Sequence, residues 1–282
     1  MTTSSLKHGV YCANFNFLAE PHVLHDLALR SEAAGWDGFF IYDHVVPRLD
    51  EDAPVGEAWT TLGAIAATTT RLKIGPMITA VARRLPWELA QQAIAVDRLS
   101  EGRLILGVGL GSIADHRAVS PQLTPADLGA RLDEGLDVVE ALLAGERVDH
   151  DGTWPIRGLS LQPGPWNDRI PIWVGGRYGA AKPALRAARY QGYFPIPADW
   201  DGRRPGSVEG VTGAIEAITA ARGDVVDFDI VVGGVSDPDT ARSAMAPYEA
   251  AGATWWVEVM SPERGTLEQF RARIDAGPLG VG

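Results

Sequence analysis

Short runs of β-branched and aromatic residues alternate along the chain with longer stretches whose apolar residues recur every three or four positions. The first kind of run suits strands and the second amphipathic helices. Residues 9–15 (GVYCANF) read as a strand and 22–34 as a helix. The pair recurs at 38–44 and 59–69, at 72–78 and 87–100, and at 103–111 and 127–144. It continues at 171–176 and 180–190, 192–196 and 208–222, 228–234 and 238–251, and 255–260 and 262–275, making eight pairs. The strands are nearly continuous in apolar residues rather than alternating, which predicts burial on both faces and therefore a parallel sheet. Eight such units close most naturally into a (β/α)8 TIM barrel, an α/β fold, as a single domain over 1–282. A doubly wound open sheet would place G-x-G-x-x-G directly after the first strand, where Asn14, Phe15 and Asn16 stand instead.

Three segments interrupt the rhythm. Residues 145–170 hold two short β-like pieces around Asp151-Gly152 and read as an inserted hairpin and loop. Residues 45–58 and 112–126 leave from the carboxyl ends of the second and fourth strands, the catalytic face of a barrel.

Composition narrows the class. The 282 residues carry 25 Lys and Arg against 36 Asp and Glu, a formal charge of −11, and no basic run exceeds two residues. A nucleic-acid partner is therefore not expected. With one cysteine, Cys12, no internal disulfide can form. No apolar run reaches signal-peptide or membrane-spanning length, so a cytoplasmic protein without membrane contact is expected. Four tryptophans, Trp36, Trp59, Trp87 and Trp166, are candidates for core or mouth, and core is the expectation for each.

Candidate chemistry lies at strand ends. Asp43 and His44 close the second strand, where a histidine beside a carboxylate can hold one tautomer and exchange a proton near neutral pH. His116, in the loop after the fourth strand, is a weaker candidate; His8, His22, His25 and His150 read as surface or packing residues. No Cys/His set has ligand spacing, so no metal is expected. Gly107, Gly109 and Gly111 permit close backbone approach to a flat ring or phosphate, or simple close packing. Gly175, Gly176 and Arg177 precede a helix expected near Ala180, where amides and a guanidinium suit a phosphate. The catalytic motifs of serine hydrolases and P-loop enzymes are missing, so a bound cofactor is expected to supply the difficult step.

The segments AAGWDGFFIYDHVVP, TTTRLKIGPMITAVARRLPWELAQQAIAVDRLSEGRLILGVGLG, RLDEGLDVVEALLAGE and IPIWVGG resemble the luciferase-like flavin- and deazaflavin-dependent oxidoreductases, collinearly from about residue 9 to 200. The resemblance implies coenzyme F-420 (a deazaflavin) or FMN lying across the barrel mouth. It implies a non-prolyl cis peptide at Met77-Ile78 behind the ring, Gly107, Gly109 and Gly111 beside it, and Gly175, Gly176 and Arg177 at its phosphate. Asp43 and His44 match a position that often carries Asp-His in F-420 users, with His44 facing the reacting carbon. Family members commonly pair, so a homodimer is expected. Two departures stand out. Ser112 occupies the place of a glutamate found in the sugar-phosphate dehydrogenases, and with His116 it becomes a candidate substrate contact. The long insertion that larger monooxygenases carry after the seventh strand is missing, since Gly233-Gly234-Val235 runs within a few residues to a helix expected near Pro238. The first reading is F-420-dependent hydride transfer to or from a small organic substrate. An FMNH2-dependent monooxygenase using O2 is the alternative, and a non-catalytic ligand-binding barrel is the third.

Overall fold

In the computed structural model, residues 6–47, 52–197 and 204–279 are described. The expected stretch 45–58 therefore lies partly outside them. The chain runs β1 (Lys7–Cys12), α1 (Pro21–Ala33), β2 (Gly38–Ile41), α2 (Ala58–Thr68), β3 (Lys73–Pro76), β4 (Thr79–Ala80), α3 (Pro86–Leu99) and β5 (Leu106–Gly109). It continues through α4 (Ile113–Val119), α5 (Pro125–Leu143), β6 (Val148–His150), β7 (Ile156–Leu159), β8 (Ile172–Arg177), α6 (Ala181–Ala187) and β9 (Gly192–Ile196). Last come α7 (Val208–Arg222), β10 (Asp229–Gly234), α8 (Ala241–Ala250), β11 (Trp255–Met260) and α9 (Leu267–Asp275). Helix starts follow local chemistry. Pro21, Pro86 and Pro125 sit in first turns, and Thr124 and Thr266 form capping boxes with Asp127 and Gln269.

Nine strands form one parallel sheet in the order β3-β2-β1-β11-β10-β9-β8-β5-β4. β3 and β4 are successive pieces of a single stave, which leaves eight. The ring closes where Ile74 N–H donates to Arg103 O at 3.1 Å, Ile105 N–H donates to Ile74 O at 2.8 Å, and Thr79 and Ala80 pair with Val108 and Gly109. The TIM-barrel expectation holds, and β6 and β7 form the antiparallel hairpin expected around Asp151-Gly152. The third expected strand, 72–78, is split at the cis peptide Met77-Ile78. The segment 112–126, expected to be irregular, contains the short helix α4.

The barrel interior is packed rather than hollow. Phe40, Trp173 and Trp255 form an aromatic layer with ring centroids 5.3–5.8 Å apart. Gly192 makes room for it, since a Cβ there would overlap the Trp173 indole. Above this layer Tyr11 lies 4.3 Å from Tyr42 and 5.8 Å from Phe194. These rings form the floor of the mouth at the strands' carboxyl ends. Trp36 and Trp59 are buried and Trp87 is half-buried against the core. Trp166 corrects the core expectation: it is 47% exposed and lies under the Arg98 guanidinium, because the loop before β8 keeps it outside the barrel.

Candidate active site

His44 stands three residues beyond β2, half-buried at the mouth. Its Nδ1 lies 2.8 Å from Asp115 Oδ2. Asp115 Oδ1 accepts the backbone N–H groups of Val45 and Val46, each at 3.1 Å. Burial by itself would raise the Asp115 carboxyl, but the His44 hydrogen bond and charge and these two amides outweigh it and hold the group below the usual carboxylate range. A carboxylate only accepts, so Nδ1 carries the hydrogen and Nε2 is the ring nitrogen left for the mouth. Asn14, fully buried at the end of β1, fixes the same turn. Its Nδ2 donates to His44 O at 2.9 Å and to Gly56 O at 2.8 Å, and its Oδ1 accepts His44 N–H at 3.3 Å.

Asp43 does not serve His44. Its carboxylate is taken by Arg83 Nη2 at 3.1 Å, by Arg84 Nη1 at 3.3 Å and by the Thr79 hydroxyl, and the Asp43 carbonyl accepts a further bond from Arg83. With Asp43 held by Arg83, Arg84 and Thr79, the carboxylate at the His44 ring is Asp115. The expected catalytic Asp43 is thus a buried strand-end anchor. Asp115 and Asn14 are the supporting residues that sequence reasoning missed. The pattern around Asp115 points the wrong way, because α4 exposes Ile113 and Val119 while it buries Asp115 and His116. Asn14 was noted only as lying at a strand end.

His116 requires a second correction. It is 2% exposed, and its Nε2 donates to Leu110 O at 2.6 Å, so it holds the backbone after β5 instead of facing a substrate. Ser112, half-buried, caps α4 by accepting Ala114 N–H at 3.2 Å.

The glycines line the mouth for reasons that differ from those expected. Cβ atoms on Gly109 and Gly175 would both run into the Ile78 side chain, at 2.7 Å from Ile78 Cγ2 in the case of Gly175. One on Gly107 would overlap the Pro76 carbonyl, and one on Gly111, where φ is +81°, would overlap Ala80. Gly109 and Gly175 thus make room for Ile78, which forms a half-buried aliphatic shelf over the barrel. Met77, behind it, is fully buried and bonds to Ile41 O through its N–H at 2.8 Å. The cis peptide expected between them is present.

Gly175, Gly176 and Arg177 form the carboxyl end of β8 and pair with Phe194, Pro195 and Ile196, so the strand runs one residue past its expected end at 176. Helix α6 begins at Ala181, close to its expected start near Ala180, and has no side-chain cap. The Tyr193 hydroxyl donates to the carbonyls of Gly176 and Arg177 at 3.2 and 3.3 Å. The Arg177 side chain is exposed and forms no ion pair among the described residues. No cluster of three or more His, Cys, Asp or Glu among the described residues could hold a metal ion, and no described helix is long and apolar enough to cross a membrane.

The carboxyl-end face of the packed parallel barrel thus carries a histidine just past one strand end, a carboxylate behind it and an aliphatic shelf beside it. Residues 8–235 match the luciferase-like monooxygenase family, and the chain belongs to that family. An F420-dependent glucose-6-phosphate dehydrogenase of Microbacterium testaceum is 30% identical over 195 residues, covering 68% of this chain and 57% of that protein. The chain thus spans little more than half the length of that relative. An F420-dependent secondary alcohol dehydrogenase in complex with an F420-acetone adduct superposes with a TM-score of 0.77 at 16% identity, covering 96% of both chains. The oxygenating constituent of a diketocamphane monooxygenase of Pseudomonas putida, in complex with FMN, superposes at 0.71 and 15% identity, covering 91% of both. At such identities the two structures speak for the fold.

Proposed function

We propose that this protein catalyses coenzyme F-420-dependent hydride transfer between a small organic alcohol and its carbonyl form. The observation that carries the reading is His44, with Nδ1 tied to Asp115 and Nε2 left for the mouth. The residues fit the cofactor: Ile78, seated over Gly109 and Gly175, offers an apolar shelf for a flat ring, and Arg177 offers a guanidinium for its phosphate. When bound, the deazaflavin supplies a carbon that takes or returns a hydride. The chain's own part is proton handling and exclusion of water. In the oxidising direction the substrate O–H bond breaks and its proton joins His44 Nε2. Tyr11, Tyr42 and Phe194 close the floor beneath, so water does not enter through the barrel.

The relatives' names favour F-420 and alcohol oxidation. Ser112, standing where the resemblance places a glutamate in the sugar-phosphate dehydrogenases, supports a substrate other than a sugar phosphate. The test is an anaerobic assay with oxidised F-420 and a panel of small alcohols, following loss of deazaflavin absorbance. An aerobic arm with reduced FMN runs in parallel. Turnover only in the FMN arm would overturn the reading in favour of the monooxygenase. Saturable binding of either cofactor without turnover would favour a ligand-binding barrel. The proposal extends to a cytoplasmic homodimer. Cys12, fully buried and with its thiol pushed up by burial, suits a reducing compartment and is not a redox group. Light scattering at micromolar concentration should report twice the 30.2 kDa chain mass; a species of chain mass alone would refute the dimer.

A further inference from the structure

Helix α4 is built inside out. Its exposed positions are Ile113, Ala114, Arg117, Ala118 and Val119, and its buried ones are Asp115 and His116. Burying a carboxylate is unfavourable unless every lone pair finds a donor, so packing alone does not explain this orientation. Asp115, at 1% exposure, finds three donors, and all three belong to one place: the His44 ring and the two peptides that follow it. The contact reaches across 71 residues, from the loop after β5 to the loop after β2. Asp43, the carboxylate adjacent to His44 in the chain, is already committed to Arg83, Arg84 and Thr79.

We infer that Asp115 is a positioning residue that turns His44 into a one-sided proton carrier, fixing the hydrogen on Nδ1 and balancing the charge that arrives on Nε2. The inference rests on the hydride-transfer reading of this site. The proton that leaves the substrate hydroxyl bonds to Nε2, the ring becomes a cation, and Asp115 remains the anion beside it, so no net charge accumulates in the half-buried pair. The two amide bonds from Val45 and Val46 serve the same end, because they hold the backbone that carries the ring as well as the ring itself. Asp115 touches neither substrate nor cofactor in this account; it acts through His44.

Two measurements test this. The first uses cofactor-free protein with 15N-labelled histidine, at a pH where the His44 ring is neutral. Two-bond proton–nitrogen spectra should show the Nδ1–H tautomer in the wild type and loss of that preference in Asp115→Asn. A wild-type His44 in the Nε2–H form overturns the proposal without any variant. The second is a double-mutant cycle of Asp115→Asn and His44→Gln on the cofactor-loaded enzyme. D115N should lower kcat by about 100-fold, with the cofactor dissociation constant changed less than about twofold. In the H44Q background the same substitution should lower it by less than about threefold, since a residue acting through His44 has nothing left to act on. Equal losses in both backgrounds, or full kcat in D115N, overturn the proposal alone. Wild-type turnover in H44Q overturns the functional reading beneath it. Should D115N fail to fold, Asp115→Glu repeats the cycle with the charge retained, and is expected to keep the Nδ1–H tautomer and recover part of kcat.

Discussion

The account of the mouth glycines can be tested through Gly175→Ala, a change of one methyl. The three atoms nearest a Cβ at that position all belong to Ile78: Cγ2 at 2.7 Å, Cδ1 at 3.4 Å and Cβ at 3.7 Å. Ordinary contact begins near 3.4 Å, so the new methyl sits about 0.7 Å too close to one branch of one side chain. The backbone at Gly175 is regular strand, which adds no conformational penalty for alanine. Overpacking of this size costs about 1–3 kcal/mol. Ile78→Ala removes the colliding Cγ2 together with Cδ1, and of these three atoms leaves Cβ at an ordinary 3.7 Å. As a single change it should cost about 1–2 kcal/mol, the low end for isoleucine truncation because Ile78 is half-buried. The two effects should not add. G175A/I78A should match I78A within about 0.5 kcal/mol, a coupling of at least about 0.5 kcal/mol. Urea unfolding of the cofactor-free protein, followed by emission from the nine tryptophans, measures all four corners of the cycle without assuming any activity. If Gly175→Ala destabilises equally with and without the Ile78 side chain, Gly175 is not there to seat Ile78 and the shelf as described is wrong.

The other expectations concern residues that look alike in sequence and differ in structure. Asp43→Ala should destabilise by about 3–5 kcal/mol, because it strands the buried Arg83, with a fall in melting temperature on the order of 10 °C; a shift under about 3 °C would contradict the anchor role. His44→Ala takes from buried Asp115 one of its three donors, so it should lower the melting temperature by a few degrees while the chain still folds, and it should lower turnover by about 100-fold; unchanged turnover would remove His44 from the mechanism. Arg177→Ala should weaken cofactor binding by about 1.5–3 kcal/mol, and by less for an analogue without phosphate, as titration of tryptophan quenching would show; equal losses for both would place Arg177 away from the phosphate. The Asp115 carboxyl is held below its ordinary range, so its stabilisation is complete above the unfolded value near 3.8 and is lost as the pH falls through the lower folded value. Urea midpoints below about pH 4 should therefore fall less steeply in Asp115→Asn than in the wild type, and parallel curves would refute the linkage.

What the sequence determined by itself was the architecture. Eight apolar runs, each followed by a helical pattern, specify a parallel barrel because the periodicity is local and every strand is buried on both faces. The strands at 192–196 and 255–260 fall where the pattern put them, and so does the hairpin around Asp151-Gly152. His44 was legible for the same local reason, as a titratable side chain just past a strand's carboxyl end. Its partner was not. Asp115 lies 71 positions away on a short helix whose apolar pattern points outward, and only closure of the ring brings the loops after β2 and β5 together. Asp43 and His44 are neighbours in the chain, yet they take different partners, one Arg83 and Arg84 and the other Asp115. The glycines carry the same lesson. Their positions are visible in the sequence, but the Ile78 side chain they accommodate comes from a different stave, and a residue defined by what it leaves empty acquires its meaning only when the tertiary structure supplies the occupant.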